Sequence, residues 1–240
     1  MKKAIIIGAS SGIGKLVAQM LIDEGWTVGL AARREELLMS MMHDHEENVK
    51  IEKIDVTTDT DTESLQHLIQ NIGGMDLFFY ASGIGKQNRE LEESIELSTV
   101  RTNGLGFMRM IGEAYRYFAT KGEGHIVAIT SIAGTKGLGP APAYSATKAM
   151  QATYLQALEQ LANQQGLNIR FTDIRPGFVD TDLLSGQHKY PMLMKPEPVA
   201  KAIMKAIRSK KHVCVIDIRW RLLTALWRRI PRWLWRRMKL

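Results

Sequence analysis

Ala4-Ile5-Ile6-Ile7-Gly8-Ala9-Ser10-Ser11-Gly12-Ile13-Gly14 is the stretch that decides the fold. Its apolar run is short and stops at a glycine, after which Leu16, Val17, Met20 and Leu21 recur at helical spacing. A buried strand, a tight turn and the start of a helix are predicted in that order. Glycines in the turn let the chain reverse sharply and let a pyrophosphate approach backbone N–H groups at a helix N-terminus, where the dipole favours negative charge. The spacing G-x-x-x-G-x-G is one residue longer between its first two glycines than the common dinucleotide fingerprint. A glycine turn that binds nothing is the alternative.

Outward from this segment, short apolar runs alternate with amphipathic stretches. Strands are predicted at residues 4–7, 26–32, 49–54, 75–80, 125–130, 168–174 and 212–216, and helices at 13–24, 61–72, 94–120, 143–163 and 198–209. Such alternation calls for parallel strands joined by right-handed helical crossovers, hence a single α/β domain with a doubly wound sheet covered on both faces. The domain is expected to span residues 1–218, with 219–240 as a separate tail.

Composition excludes several classes. With 240 residues, 45% apolar and 24% charged, the chain is an ordinary globular mixture, neither disordered nor collagen-like. The single cysteine, Cys214, rules out an internal disulfide and a thiolate-rich zinc site. The apolar run after Met1-Lys2-Lys3 ends at Gly8, too short for an export signal, and no run approaches the roughly 18 residues of a membrane span. A cytoplasmic location is expected. Of the 32 lysines and arginines, eight (Arg219, Arg221, Arg228, Arg229, Arg232, Arg236, Arg237 and Lys239) fall in 219–240 without an acid, leaving 24 against 25 acidic residues elsewhere. The net charge of +7 thus belongs to the tail, and a nucleic-acid surface over the body is not expected.

The end of the second strand bears on the nucleotide. An acid there bonds the ribose 2′-hydroxyl of NAD, whereas arginine suits the 2′-phosphate of NADP. The chain reads Leu30-Ala31-Ala32-Arg33-Arg34, which favours NADP through Arg33 over NAD; an arginine pair solvated beside Glu35 and Glu36 is the alternative. Asp55, past the third strand, bonds the adenine amino group or caps the turn before Thr57 and Thr58.

Tyr144 and Lys148 lie four apart on a predicted helix and share a face. Tyr117 and Lys121 have the same spacing. Only Tyr144 follows a strand whose carboxyl end delivers a hydroxyl, Ser131, and such ends are where open α/β sheets bind ligands. Hydride delivery to a carbonyl builds charge on oxygen that must be met by a proton. A tyrosine near pKa 10 is a poor acid/base at neutrality, and an adjacent ammonium favours its phenolate.

The glycine segment, Asp76, Asn103, Ser131, Tyr144-Ser145-Ala146-Thr147-Lys148 and Pro176-Gly177, in that order, resemble the short-chain dehydrogenase/reductase family over essentially residues 1–218. The resemblance implies a Rossmann-like fold and an NAD(P)-dependent oxidoreductase. It implies Tyr144 as general acid/base, Lys148 as the cation that lowers its pKa and holds the nicotinamide ribose, Ser131 as the hydroxyl orienting the carbonyl, and Asn103 as the residue positioning a water in the proton relay. It implies a coenzyme held by Gly8, Ser10, Ser11, Gly12, Ile13, Gly14, Arg33, Asp55, Val56, Ala81, Ser82 and Gly83, by Tyr144 and Lys148, and by Pro176, Gly177, Val179 and Thr181. Two positions depart from the pattern: Tyr80-Ala81-Ser82-Gly83 replaces a pair of asparagines followed by Ala-Gly, and Ile7 replaces a threonine. Both put local hydrogen bonding near the coenzyme in doubt.

The segment between Pro176 and Pro198, with Phe178, Leu183, Leu184, Tyr190, Met192, Leu193 and Met194, reads as a lid over a small apolar carbonyl or alcohol, or as ordinary packing. In the tail, Trp220, Leu223, Trp227, Ile230, Leu234 and Met238 fall in one helical sector opposite the arginines, and Pro231 would divide the helix. That pattern fits an amphipathic helix lying on the inner face of an anionic membrane, or a helix docked on another subunit of a homodimer or homotetramer. His43, Asp44 and His45 read as a solvated helix end, and no metal site is expected. A nucleotide-binding regulatory or scaffold protein without turnover is the competing function.

Overall fold

The computed structural model describes residues 2–43, 45–59, 61–184 and 190–238. Lys3–Ile7 forms β1, and from it the chain builds β2 (Thr27–Ala32), β3 (Val49–Lys53), β4 (Leu77–Tyr80), β5 (Glu123–Ile129), β6 (Asn168–Arg175) and β7 (Val213–Val215). These seven pair in parallel in the order β3-β2-β1-β4-β5-β6-β7. Continuous apolar runs such as Ala4 to Ile7 and Leu77 to Tyr80 suit strands buried on both faces. Ala4, Ile6, Leu77 and Phe79 point into one core with α1 (Gly12–Asp23), α2 (Glu35–Met42), α7 (Pro196–Arg208) and α8 (Ile218–Trp227). Ile5, Ile7, Phe78 and Tyr80 point into the other, against α3 (Asp61–Asn71), α5 (Phe107–Lys121) and α6 (Pro142–Gln164). The strand order departs in opposite directions from the β1–β4 pair, so a crevice opens above the carboxyl ends of those two strands.

Four sequence expectations need correction. The helix predicted at 94–120 is three pieces: α4 (Glu93–Val100), a π-helical turn over Arg101–Gly106, and α5. At Gly106 a Cβ would collide with the carbonyl oxygen of Val56, so the wide turn brings backbone against backbone. α2 was expected only through its end at His43 and was given no bounds; of its eight residues only Leu38 and Met41 are buried, too weak a stripe to stand out. The strand expected from residue 75 starts at Leu77, because Met75 and Asp76 are taken up in fixing its entry: Asp76 accepts from Lys3 N (2.9 Å) and from Lys121 Nζ (2.5 Å).

The fourth correction concerns the tail. It forms α8 and a short α9 (Arg232–Trp235); of its apolar sector Trp220 and Trp227 pack onto its own chain, while Leu223, Leu234 and Met238 stay exposed. Trp220 is 2% exposed and its ring meets Phe178 edge to face at 5.5 Å. Trp227 Nε1 donates to Thr135 Oγ1 (2.6 Å), Trp235 Nε1 to the Gly137 carbonyl (2.9 Å), and Lys136 Nζ to the Ile230 carbonyl (2.6 Å). Lys239 of the basic set lies outside the described residues, and among those described no helix is long and apolar enough to cross a membrane.

Candidate active site

The glycine turn after β1 is built by close approach. Gly8 has φ +89°, and a Cβ on it would lie 2.7 Å from Ser82 N; a Cβ on Gly14 would collide with the Gly8 carbonyl oxygen. Gly8 N and Ala9 N both donate to the Ala31 carbonyl, and Ala81 N donates to the Ile7 carbonyl, which seats Ala81, Ser82 and Gly83 beside the turn. Ser11 is the N-cap of α1, yet its hydroxyl makes no capping bond. It accepts instead from Arg34 Nη2 (2.9 Å), as does Ser10 (3.2 Å). The first N–H groups of α1 thus face the crevice without a capping side chain, as an anion site requires. Arg33, the expected phosphate contact, lines the same cavity, but Arg34 is the arginine laid across the turn. Asp55 also lines it, and its Oδ1 accepts from Thr57 N (3.1 Å) and Thr57 Oγ1 (2.8 Å), a local turn cap.

The candidate reacting groups come from β5 and α6. Ser131 follows β5, is 8% exposed, and accepts from Ala133 N (3.0 Å), opening a 3₁₀ turn over Ile132–Thr135. Pro142 starts α6, placing Tyr144 in its first turn and Lys148 one turn later. Burial pushes the Tyr144 phenol above its ordinary pKa, and a hydrogen bond from Ser131 pulls it back. Burial brings the Lys148 ammonium down to about 8, opposed by the charge of Asp173. Asp173 on β6 accepts from Thr130 Oγ1 (2.5 Å), beside Ser131, and pairs with Arg175 (2.5 Å). At Gly85 a Cβ would come within 2.9 Å of the Tyr144 ring, so the loop after β4 lies flat on the phenol.

Asn103 sits fully buried in the π turn, and its side chain is spent on Ile84: Oδ1 accepts from the Ile84 N–H (2.9 Å) and Nδ2 donates to the Ile84 carbonyl (2.7 Å). Its own carbonyl accepts from Gln151 Nε2 (2.8 Å), and Gln151 Oε1 accepts from Lys148 Nζ (2.9 Å). Gln151 and Arg34 are two polar residues the sequence reading did not place. The first reads as one of several glutamines on α6. The second follows Arg33 directly, and nothing in the pattern chooses between them.

Pro176, Gly177, Val179 and Thr181 form the rim after β6. Ile132 N donates to the Pro176 carbonyl (3.1 Å), Val179 pairs with Met194, and the Thr181 side chain reaches back over Gly12. The glycine turn, Ile13, Val56, Ser131, Tyr144, Lys148 and this rim border one cavity of about 1200 Å³. Its far wall is apolar: Leu138, Phe178, Met192, Leu223, Trp227, Ile230 and Trp235. That volume exceeds the roughly 300–1,000 Å³ of a single small-ligand site. The Cβ-free cradle, the open helix N-terminus and the paired arginines fit a dinucleotide, with room left for a substrate. Among the described residues no group of three His, Cys, Asp or Glu side chains could hold a metal; Asp44, between His43 and His45, lies outside them.

A dinucleotide cradle at the head of a doubly wound sheet, with a Ser–Tyr–Lys cluster beside it, defines an NAD(P)-dependent oxidoreductase. The profile of the family described as short chain dehydrogenase matches residues 2–190, and the chain belongs to that family. It is 30% identical over 222 residues to an uncharacterized oxidoreductase of Staphylococcus aureus (strain USA300), covering 90% of this chain and 95% of that protein. Among solved structures, ElxO with NADP bound superposes with a TM-score of 0.81 at 24% identity, covering 92% of this chain and 99% of that one. An actinorhodin polyketide ketoreductase variant with NADPH gives a TM-score of 0.77, also at 24% identity, covering 90% and 95%.

Proposed function

We propose that the enzyme prefers NADP and interconverts a carbonyl and a secondary alcohol on an apolar substrate, with Tyr144 as general acid/base. The observation that carries this reading is one cavity whose glycine-turn end carries Arg33 and Arg34, whose floor carries Ser131, Tyr144 and Lys148, and whose far wall is apolar. When bound, the coenzyme supplies or takes the hydride. In the reductive direction Ser131 holds the carbonyl oxygen, and Tyr144 gives its phenolic proton to that oxygen as charge develops on it. The Lys148 ammonium stabilises the phenolate left behind, and proton uptake restores the phenol. Asn103 keeps the π turn fixed against the loop that covers Tyr144. Two arginines and two serine hydroxyls offer the 2′-phosphate more donors than a ribose hydroxyl can use.

NADPH oxidation with a panel of ketones and 3-oxoacyl thioesters, run beside Tyr144→Phe, tests the reading. The variant should lose at least about 100-fold in kcat, the scale of general acid catalysis. Equal rates in the two proteins, or NADPH binding without turnover on any substrate, would overturn it.

The tail's outer face supports a peripheral place on the inner, cytoplasmic side of an anionic membrane. Ile218, Leu222 and Leu226, spaced by four on α8, are 55–65% exposed, as is Trp233, and Arg219, Arg221, Arg228, Arg229, Arg232, Arg236 and Arg237 surround them without an acid after Asp217. Sedimentation with phosphatidylserine vesicles should fall sharply in Leu222→Glu/Leu226→Glu. Unchanged sedimentation, or a loss of self-association in its place, would reject the membrane in favour of a subunit contact. Self-association as a homodimer or homotetramer is assigned instead to Leu97, Leu105 and Met108, exposed around the π turn.

A further inference from the structure

We propose that Gln151 is a positioning residue of this reaction, its side-chain amide locking Lys148 Nζ to the backbone of the π turn that carries Asn103. The inference rests on the assignment of Lys148 to the reaction, but its geometry stands by itself. A primary amide presents an acceptor and a donor at its two ends. In Gln151 both ends are used and no surface is exposed: Oε1 accepts from Lys148 Nζ at 2.9 Å, and Nε2 donates to the Asn103 carbonyl at 2.8 Å. Three positions separate Lys148 from Gln151 on α6, so the two side chains leave the same face. Asn103 belongs to another element, held in turn against Ile84. One amide therefore joins two elements of the site.

The ammonium has three protons. Ile129 O takes one at 3.1 Å and Gln151 Oε1 a second, both neutral acceptors, which leaves one N–H for the Tyr144 side of the cavity or a bound hydroxyl. The charged and titratable groups facing the amine are Tyr144 on the same helix, its ring centroid 5.8 Å away, and Asp173 on β6, itself paired with Arg175. At Gly83, on the loop after β4, a Cβ would lie 3.7 Å from Nζ and 3.3 Å from Asn103 Oδ1, so the glycine leaves this approach to the amine free of a side chain of its own. Burial works against the charged amine and Asp173 works for it, while the Gln151 oxygen gives one of its N–H groups a fixed acceptor and the far amide end fixes where that amine stands.

The test reads the amine directly, in the full-length protein, by NMR titration of 13Cε-labelled lysine with Lys148→Met assigning the signal. The wild-type midpoint should fall near 8. Gln151→Met keeps the length and apolar volume but offers no strong acceptor, and should lower the midpoint by about one pH unit, a tenfold change in the ratio of charged to neutral amine. Gln151→Glu keeps the shape, places a carboxylate on the amine, and should raise the midpoint instead. Opposite displacements in two near-isosteric variants are not what a merely structural glutamine produces. In turnover, Gln151→Met should lower kcat about threefold at pH 7.5, as the charged fraction of the amine falls, while leaving KM for NADPH within about twofold. If Gln151→Met fails to fold, the Glu variant decides. A Lys148 midpoint unmoved in the folded variants, or moved the same way in both, overturns the proposal. Loss of the Tyr144 reading would show as activity in Tyr144→Phe and leave these titrations untouched.

Discussion

Alanine at Gly177 should loosen the C-terminal helices through a single methyl group. Gly177 is outside the left-handed region, so the effect is steric: an added Cβ would collide with Nε1, Cε2 and Cδ1 of Trp220. The indole has nowhere convenient to go. It is 2% exposed, wedged edge to face on Phe178, and its backbone carbonyl is held by Thr224 Oγ1 at 2.8 Å. Among the described residues its indole N–H has no hydrogen-bond partner, so packing holds the ring. Overpacking of this kind costs about 1–3 kcal/mol. At roughly 2–4 °C per kcal/mol for a chain of this size, the melting temperature should drop by about 2–12 °C. Near-UV circular dichroism and tryptophan fluorescence would follow the melt in Gly177→Ala, Trp220→Leu and the double variant. Leucine leaves room for the methyl, so the penalty of Gly177→Ala should largely vanish in the Trp220→Leu background, a coupling of at least about 1 kcal/mol. A wild-type melt for Gly177→Ala, or strictly additive losses, would refute the reasoning.

Other outcomes can be checked singly. Arg33→Ala and Arg34→Ala should each weaken NADPH more than NADH, by about 10–100-fold for whichever arginine meets the 2′-phosphate, as charge-assisted bonds of about 1.5–3 kcal/mol imply; fluorescence titration with both coenzymes would show it, and an unchanged preference in both would reject the assignment. His125 is 7% exposed and bonded through Nε2 to Thr172 Oγ1, and burial foremost, with Lys210 and Arg170 nearby, brings its pKa down to about 4. The folded state therefore resists protonation, so stability is full above about pH 6.5 and falls as pH drops toward 4, by about 2 kcal/mol at pH 5. Urea unfolding of His125→Gln should lack that loss between pH 7 and 5; an equal acid loss in both proteins would contradict it. Thr135→Val removes the acceptor of Trp227 Nε1, worth about 1 kcal/mol, and trypsin should cut at Arg228 and Arg229 about fivefold faster.

The sheet was legible because its central strands β2, β1 and β4, buried on two faces, leave nearly unbroken apolar runs, and glycines punctuate the turn after β1. The proposed catalytic set could be picked out because Ser131, Tyr144 and Lys148 sit at the carboxyl end of a strand and on one helical face. Less was readable where a residue's partner lies far along the chain. Periodicity runs smoothly through residues 94–120 and hides the π turn, since only the approach of Val56 explains Gly106. Gln151 looks like a surface glutamine until Asn103, 48 positions earlier, is brought against it. For the tail, a helical projection sorts apolar from basic residues but does not say which body the apolar side covers. Trp220 is buried and Trp233 is 58% exposed, although both are tryptophans in the same basic stretch.

Trp227 and Trp235 donate to Thr135 and Gly137, and Ile230 accepts from Lys136, so three hydrogen bonds tie the tail to the short connection from Ser131 to Tyr144. Polypeptide fused after residue 238 would thus emerge at the brim of the reaction chamber, next to the segment spacing its two hydroxyls. An affinity handle placed ahead of Lys2 leaves from the opposite rim of the sheet, where β1 begins, and is the better choice for kinetics.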